Sequence, residues 1–263
     1  MENENSGSGM GGNSPQTLKS LDNTFAIITE LQKRKGARVT ELANATGLSK
    51  SSVYKHLTTL VAHDLVTKKA DHYHLGLRFL DVGAYVRHQI EGSRIIKEKL
   101  REVAEETEET AQFTTEEHGR AVVLFRETGR RGVLTKGRVG KRFHIHQTAA
   151  GKAILSQFSN ERVCDLIARN GLPRATKGTI VDEDELLDDL EAIRERGYSY
   201  NNEESTKGLR AVAVPLMAPD RNVLGAFAVA GPTHRMNQDR LDGELPELLR
   251  SVVNELELNL THM

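Results

Sequence analysis

Cysteine is almost absent from this chain. Cys164 is the single one among 263 residues, which excludes an intrachain disulfide and any zinc cluster built on several thiolates. It falls within an amphipathic helical pattern, ERVCDLIARNG, where a thiol acts as a small buried or half-buried packing group, so redox chemistry is not expected. Long hydrophobic runs are missing as well. No stretch of about 18 apolar residues exists to cross a bilayer, and the opening MENENSGSGMGGNSP lacks the basic-then-apolar order of a secretion signal. A cytoplasmic protein with no membrane partner is expected. Residues 1–15 are mostly Gly, Ser and Asn, with too little apolar surface to fold, and are read as a disordered tail. There is no Walker loop, no G-x-G-x-x-G at a strand-to-helix turn and no G-x-S-x-G elbow, so neither a nucleotide cofactor nor hydrolase chemistry is indicated.

A large charge imbalance is also lacking, with 36 Lys/Arg against 37 Asp/Glu. Any surface that meets a polyanion must therefore be local. Between Thr17 and Leu75 nine Lys/Arg face five Asp/Glu, so the basic share is concentrated there and the remainder of the chain is net acidic. Acids are missing altogether from Leu42 to His63, although about one residue in seven of the chain is Asp or Glu. Such a stretch suits a surface that lies against negative charge.

The periodicity around that gap predicts three helices. Leu18, Leu21, Phe25, Ile28 and Leu31 recur at helical spacing up to Gly36. Thr40 is expected to cap a short second helix whose Leu42, Ala43 and Ala45 pack inward, and Gly47 supplies the turn. Ser49 then caps a third, with Val53, Leu57, Leu60 and Val61 on one stripe. Its other face carries Lys50, Ser51, Ser52, Tyr54, Lys55 and Thr58. Two short helices around a Gly turn form a helix-turn-helix, which presents the second helix to the DNA major groove. Hydroxyl and ammonium donors fit phosphate oxygens and base edges there, whereas a carboxylate would be repelled. The HDLVTKKADHYHLG segment then reads as strand, turn, strand, a wing with Lys68 and Lys69 at its tip beside the phosphate backbone.

Residues 16–76 thus form a winged helix-turn-helix, and 77–92 a connector helix with Leu77, Leu80, Ala84 and Ile90 on one stripe. A connector with no core of its own buries that stripe on a neighbour, and symmetric pairing would duplicate the reading helix for a palindromic site. At least a homodimer is expected. Residues 93–263 begin with a helix carrying Ile95, Ile96, Leu100, Val103 and Ala104 inward. Strands are expected at TAQFTTEE, AVVLFRE, GVLTKGRV, YSYNN, LRAVAVPLM and VLGAFAVAG. Helices are expected at AAGKAILSQF, NERVCDLIAR, EDELLDDLEAIRERG and from Asp239 to Leu260. Grouped strands with helices between them favour an α+β fold, an antiparallel sheet covered by helices. Within it, HIHQTAAGKAIL places Thr148 as a helix cap followed by Ala149, Ala150, Gly151 and Lys152. Small residues there either open the first amide groups to a carboxylate or let the helix pack closely on the sheet. The pairs His72/His74 and His144/His146 have the H-x-H spacing of metal ligands but no further ligand nearby. No metal, cofactor or catalytic residue is expected.

Taken together, GLSKSSVYKHLTTL, HIHQTAAGKAIL, RERGYSYNNEESTKGLRAVAVPLM and NVLGAFAVAGPTHRM resemble the IclR family of transcriptional regulators, from Pro15 to Leu260. The resemblance implies a winged DNA-binding domain, a linker helix used in dimerisation, and a GAF-like effector-binding domain, assembled as a dimer or a dimer of dimers. It implies an effector pocket facing the start of the AAGKAIL helix, with Ala149 and Ala150 as amide donors beside Thr148. Asn201, Leu209, Ala211, Ala228 and Ala230 would form its walls, with Phe143 added. Where relatives that recognise small oxo-acids have an Asp and two Ser, this chain has Asn201, Ala228 and Ala230. The lost hydroxyls imply a larger ligand, an organic, aromatic or sugar-derived acid. The expected function is a ligand-responsive regulator on a double-stranded palindromic operator. Its alternatives are a constitutive DNA binder whose second domain only oligomerises, or a metal-dependent sensor or enzyme.

Overall fold

The computed structural model describes residues 17–133 and 137–262, so the expected tail and residues 134–136 lie outside the described residues. The described chain divides into two compact units, the first ending at Tyr85 and the second beginning at Val86.

In the first unit, helices α1 (Lys19–Arg34), α2 (Val39–Thr46) and α3 (Lys50–Ala62) precede an antiparallel hairpin, β1 (Val66–Lys69) and β2 (His72–Leu75). Ile27, Leu31, Leu42, Val53, Leu57, Leu60, Val66 and Tyr73 make the core. The reading of α1 is corrected here: Leu18, Leu21 and Phe25 are exposed and Ile27 replaces them inside. The contacts with α2 and β2 fall on the C-terminal half of α1, which leaves the earlier apolar stripe uncovered. Ala45 and Val61 are likewise exposed. Thr40 is the second residue of α2 and not its cap. The entry is instead closed by Glu41, whose Oε2 accepts the Arg38 N–H at 2.7 Å. Ser49 caps α3 as expected, its hydroxyl accepting the Ser52 N–H at 3.2 Å. In the hairpin Lys69 pairs with His72, so Lys68 and Lys69 belong to the strand and the tip is Ala70–Asp71, with Ala70 at φ 53°. Helix α4 (Arg78–His88) spans the point of division and has no buried residue.

The second unit opens with α5 (Ser93–Thr107), then β3 (Thr110–Glu117), β4 (Arg120–Thr128), β5 (Arg142–His144) and a 3-10 turn over Ile145–Gln147. Helices α6 (Ala149–Leu155), α7 (Asn160–Asn170) and α8 (Glu183–Arg196) follow. Strands β6 (Ser199–Asn202), β7 (Leu209–Met217) and β8 (Val223–Pro232), then a π turn over Arg240–Glu244 and α9 (Leu245–Thr261), complete it. The six strands form one antiparallel sheet in the order β5-β4-β3-β8-β7-β6. The expected strand at GVLTKGRV is absent from its described residues, while β5 forms the edge instead.

Alternation along the strands sorts the two faces by size. Phe113, Val212, Val214, Phe227 and Val229 turn toward α5 and α9, with Phe113 and Phe227 edge-on at 5.2 Å between ring centroids. Ala213, Ala226 and Ala228 turn the other way, toward Ala149, Ala150, Ala153 and Ile154 of α6. A bulge between Phe113 and Thr114 shifts the register on β4, so that Phe125 joins the first face and Ala121 the second. The small face lets α6 sit close, and Gly151 lets its first turn fold against the preceding 3-10 turn: a Cβ there would lie 1.9 Å from the Ile145 carbonyl oxygen. Gly151→Ala is therefore expected to cost about 1–3 kcal/mol of stability by overpacking. Urea unfolding checks this; a midpoint equal to that of the unaltered protein would contradict the close approach.

Candidate functional site

Helix α3 keeps its apolar residues Val53, Leu57 and Leu60 in the core, which directs Lys50, Ser51, Tyr54, Lys55 and Thr58 to solvent, with Ser52 half-buried. Thr58 donates its hydroxyl proton back to Tyr54 O at 2.9 Å, leaving lone pairs for a partner. His56 does not join this face, because its Nδ1 meets the Thr24 hydroxyl at 2.9 Å and ties α3 to α1. Lys68 and Lys69 are exposed on β1, Lys68 lying over the Tyr73 ring at 5.5 Å. Exposed Thr40 stands on α2. At the wing tip Asp71 is held by Arg38 Nε at 2.6 Å and by His72 Nδ1 at 2.8 Å, and these partners keep its carboxyl below the usual carboxylate range. The result is a cationic and hydroxyl-rich helix face without a carboxylate on it.

The second unit contains a cavity of about 90 Å³ beside the head of α6. Phe143, Thr148, Ala149, Ala150, Asn201, Leu209, Ala211, Ala228 and Ala230 all line it, so the fold gathers the nine nominated pocket residues around one space. Gln112, Thr114, Val123, Gly137, Ser205, Thr206 and Arg210 line it too, and none of these was named from the sequence. Gln112 and Thr114 carried one available signal, their shared parity on β3. The pairing of β3 with β8, which sets Gln112 opposite Ala228, is a tertiary fact.

Thr148 caps α6 by accepting the Gly151 N–H at 2.9 Å, and the Ala149 and Ala150 N–H groups have no partner within the helix. Asn201 is spent on architecture: its Nδ2 donates to Gln147 O and its Oδ1 accepts the Glu204 N–H at 3.2 Å. Lys152, only 3% exposed, turns away into an ion cluster, with Nζ 2.7 Å from Asp189 Oδ2 and 3.0 Å from Glu204 Oε1. Burial outweighs the nearby ammonium and pushes the Glu204 carboxyl up, and its Oε2 has no hydrogen-bond partner among the described residues. This cluster fastens the loop 203–208, which brings Ser205 and Thr206 to the cavity, onto α6 and α8.

Three of the four paired histidines have hydrogen-bond partners, whereas His144 Nδ1 is buried without one among the described residues. His72 meets Asp71 and His74 meets Lys35 O at 3.1 Å. His146 is buried and its Nε2 donates to Pro173 O at 3.2 Å, and burial pushes it down to about 4.

Two family models match the chain: the IclR helix-turn-helix domain over residues 20–70 and the bacterial transcriptional regulator IclR C-terminal region over residues 84–257. This chain belongs to the IclR family of transcriptional regulators. The probable HTH-type transcriptional regulator ArcR of Halobacterium salinarum is 29% identical to it over 250 residues, covering 94% of this chain and 95% of the relative. The crystal structure of the Thermotoga maritima IclR matches with a TM-score of 0.77 and 24% identity, over 92% of this chain and 98% of that one. An IclR homolog from Microbacterium hydrocarbonoxydans, complexed with 4-hydroxybenzoate, matches with a TM-score of 0.74 and 18% identity, over 91% and 100%. The relatives are transcriptional regulators. The α+β architecture, a helix-turn-helix unit followed by an antiparallel sheet with helices, is that of the IclR structures. Among the described residues no helix is long and apolar enough to cross a membrane.

Two outcomes follow from the buried groups of this IclR-family unit. Lys152→Met leaves the buried Glu204 carboxylate without its cation, while Asp189 keeps Arg196 at 3.5 Å, and is expected to cost about 3–5 kcal/mol, with Glu204→Gln in the same chain recovering part of it; equilibrium urea unfolding reads both. His146 binds its proton near 6.5 when unfolded and near 4 when folded. The unfolded state therefore gains protons first as pH falls, and stability drops by roughly 3 kcal/mol across that window. His146→Gln should flatten the pH 7 to pH 4.5 difference in urea midpoint, whatever its absolute stability.

Proposed function

We propose that this IclR-family protein binds a palindromic double-stranded DNA operator as a homodimer or a dimer of dimers, and that a small organic acid in the cavity modulates the binding. The observation that carries the first half is the exposed face of α3, where Lys50, Ser51, Tyr54, Lys55 and Thr58 stand together without an acid from Leu42 to His63. A helix of this kind enters the major groove while Lys68 and Lys69 on the wing strand supply charge beside the backbone. Thr40 and Ser52 are assigned to the same interface by their place on α2 and α3.

Assembly is supported by α4. Its Leu80, Val82, Tyr85 and Val86, with the preceding Leu77 at 84% exposed, are all exposed among the described residues. Symmetric pairing through these side chains would remove them from water and set two reading helices for two half-sites. A boundary between reading and effector domains within 77–92 fits that role. Effector binding is supported by the cavity, by the first amides of α6, which have no partner within the helix, and by the relative that holds 4-hydroxybenzoate. Ala228 and Ala230 on its floor fit a ligand with an apolar body.

Lys55→Glu is expected to reduce operator affinity at least a hundredfold with the thermal unfolding midpoint nearly unchanged. The measurement is an electrophoretic titration against a fragment first selected from genomic DNA by the unaltered protein. Equal affinity of the variant and the unaltered chain would overturn the assignment of α3 as the reading helix.

A further inference from the structure

The polar side chains around the cavity differ in how far they are already used. Thr148 accepts from Gly151, Asn201 is held by Gln147 and Glu204, and Arg210 donates to Asn202 Oδ1 and Met236 O. Two side chains on β3 are different. Thr114 is 3% exposed, and neither its hydroxyl nor the half-buried Gln112 amide has a hydrogen-bond partner among the described residues. Both line the cavity. They stand on the same face of β3, opposite Ala226 and Ala228 of β8. Ser205 and Thr206, by contrast, are half-buried on the loop between β6 and β7, where water can serve them.

Resting on the reading that the cavity takes an acid, we infer that Gln112 and Thr114 are the specificity-determining pair, reading one hydroxyl or carbonyl oxygen on the uncharged part of the effector. The hydrogen-bonding capacity that Ala228 and Ala230 lack is carried here by the neighbouring strand. An amide supplies both a donor and an acceptor and a hydroxyl turns to suit, so one ligand oxygen can be met from two sides. The ligand class narrows accordingly. The walls Val123, Phe143, Leu209, Ala211 and Ala230 offer no hydrogen-bonding side chain, so a further ligand hydroxyl would be met chiefly from the Ser205–Thr206 loop. A polyhydroxylated sugar acid would lose water from several groups and regain few bonds. An acid with an apolar body and one distal oxygen loses little and satisfies Gln112 and Thr114.

The test is calorimetric and thermal-shift titration of the full chain with acid pairs that differ by one hydroxyl. Butyrate against 4-hydroxybutyrate and benzoate against 4-hydroxybenzoate serve, with gluconate as the polyhydroxylated probe. The hydroxylated member of at least one pair is expected to bind tenfold or more tightly than its partner. Thr114→Val, which keeps the shape, and Gln112→Leu should each collapse that ratio while the unhydroxylated acid binds as before. Binding in which the variants leave the ratio unchanged, or in which gluconate is preferred, overturns this assignment alone. Silence of the unaltered protein toward every acid overturns the effector reading and this assignment with it.

Discussion

The second unit depends on one constraint, the alternation of large and small side chains along β7 and β8. Val212, Val214, Phe227 and Val229 fill the space under α5 and α9, while Ala211, Ala213, Ala226, Ala228 and Ala230 leave a shallow opposite face. Close packing on the large face gives the sheet its stability, since buried side chains of this size each remove substantial apolar area from water. The shallow face admits α6, and Gly at position 151 lets the first turn of α6 lie against the Ile145 carbonyl of the preceding 3-10 turn. At the start of α6, the same shallowness becomes the cavity.

A second tier of polar contacts holds that geometry. Ser199 donates to Ala149 O at 2.6 Å, Asn201 grips Gln147 O, and Lys152 binds Asp189 and Glu204. These bonds join α6 and the turn before it to β6, to the loop after β6 and to α8. A cavity wall made of loop residues is thus fixed by buried charge, in which every lost partner leaves another group unsatisfied. The first unit is built on the opposite economy. Its small core uses Val53, Leu57 and Leu60 of α3, so the rest of that helix remains free for chemistry at the surface. Among the described residues, helix α4 has no buried side chain.

Much of this was legible in the chain. The strands at TAQFTTEE and LRAVAVPLM have the bounds that alternation assigns, and α7 and α8 start after Ser159 and Asp182, whose side chains cap them. The α3 face was legible because a helix with one apolar stripe has its remaining residues outside. The misplacements are equally physical. Two apolar stripes compete on α1, and only contact with α2 and β2 selects Ile27 and Leu31 over Leu21 and Phe25. The wing turn fell at Ala70–Asp71 because Lys68 and Lys69 pair across the hairpin with Tyr73 and His72.

By itself, then, the sequence determined the local elements, the acid-free exposed face of α3 and the small residues that surround the cavity, because periodicity and residue chemistry act over a few positions. Which strands are neighbours was decided only in three dimensions. That order sets Gln112 across from Ala228, turns Lys152 from the cavity to Asp189 and Glu204, and closes His146 on Pro173. Contacts between residues distant in the chain have no local signature, and they decide which of the small and polar side chains line the cavity and which are consumed in building it.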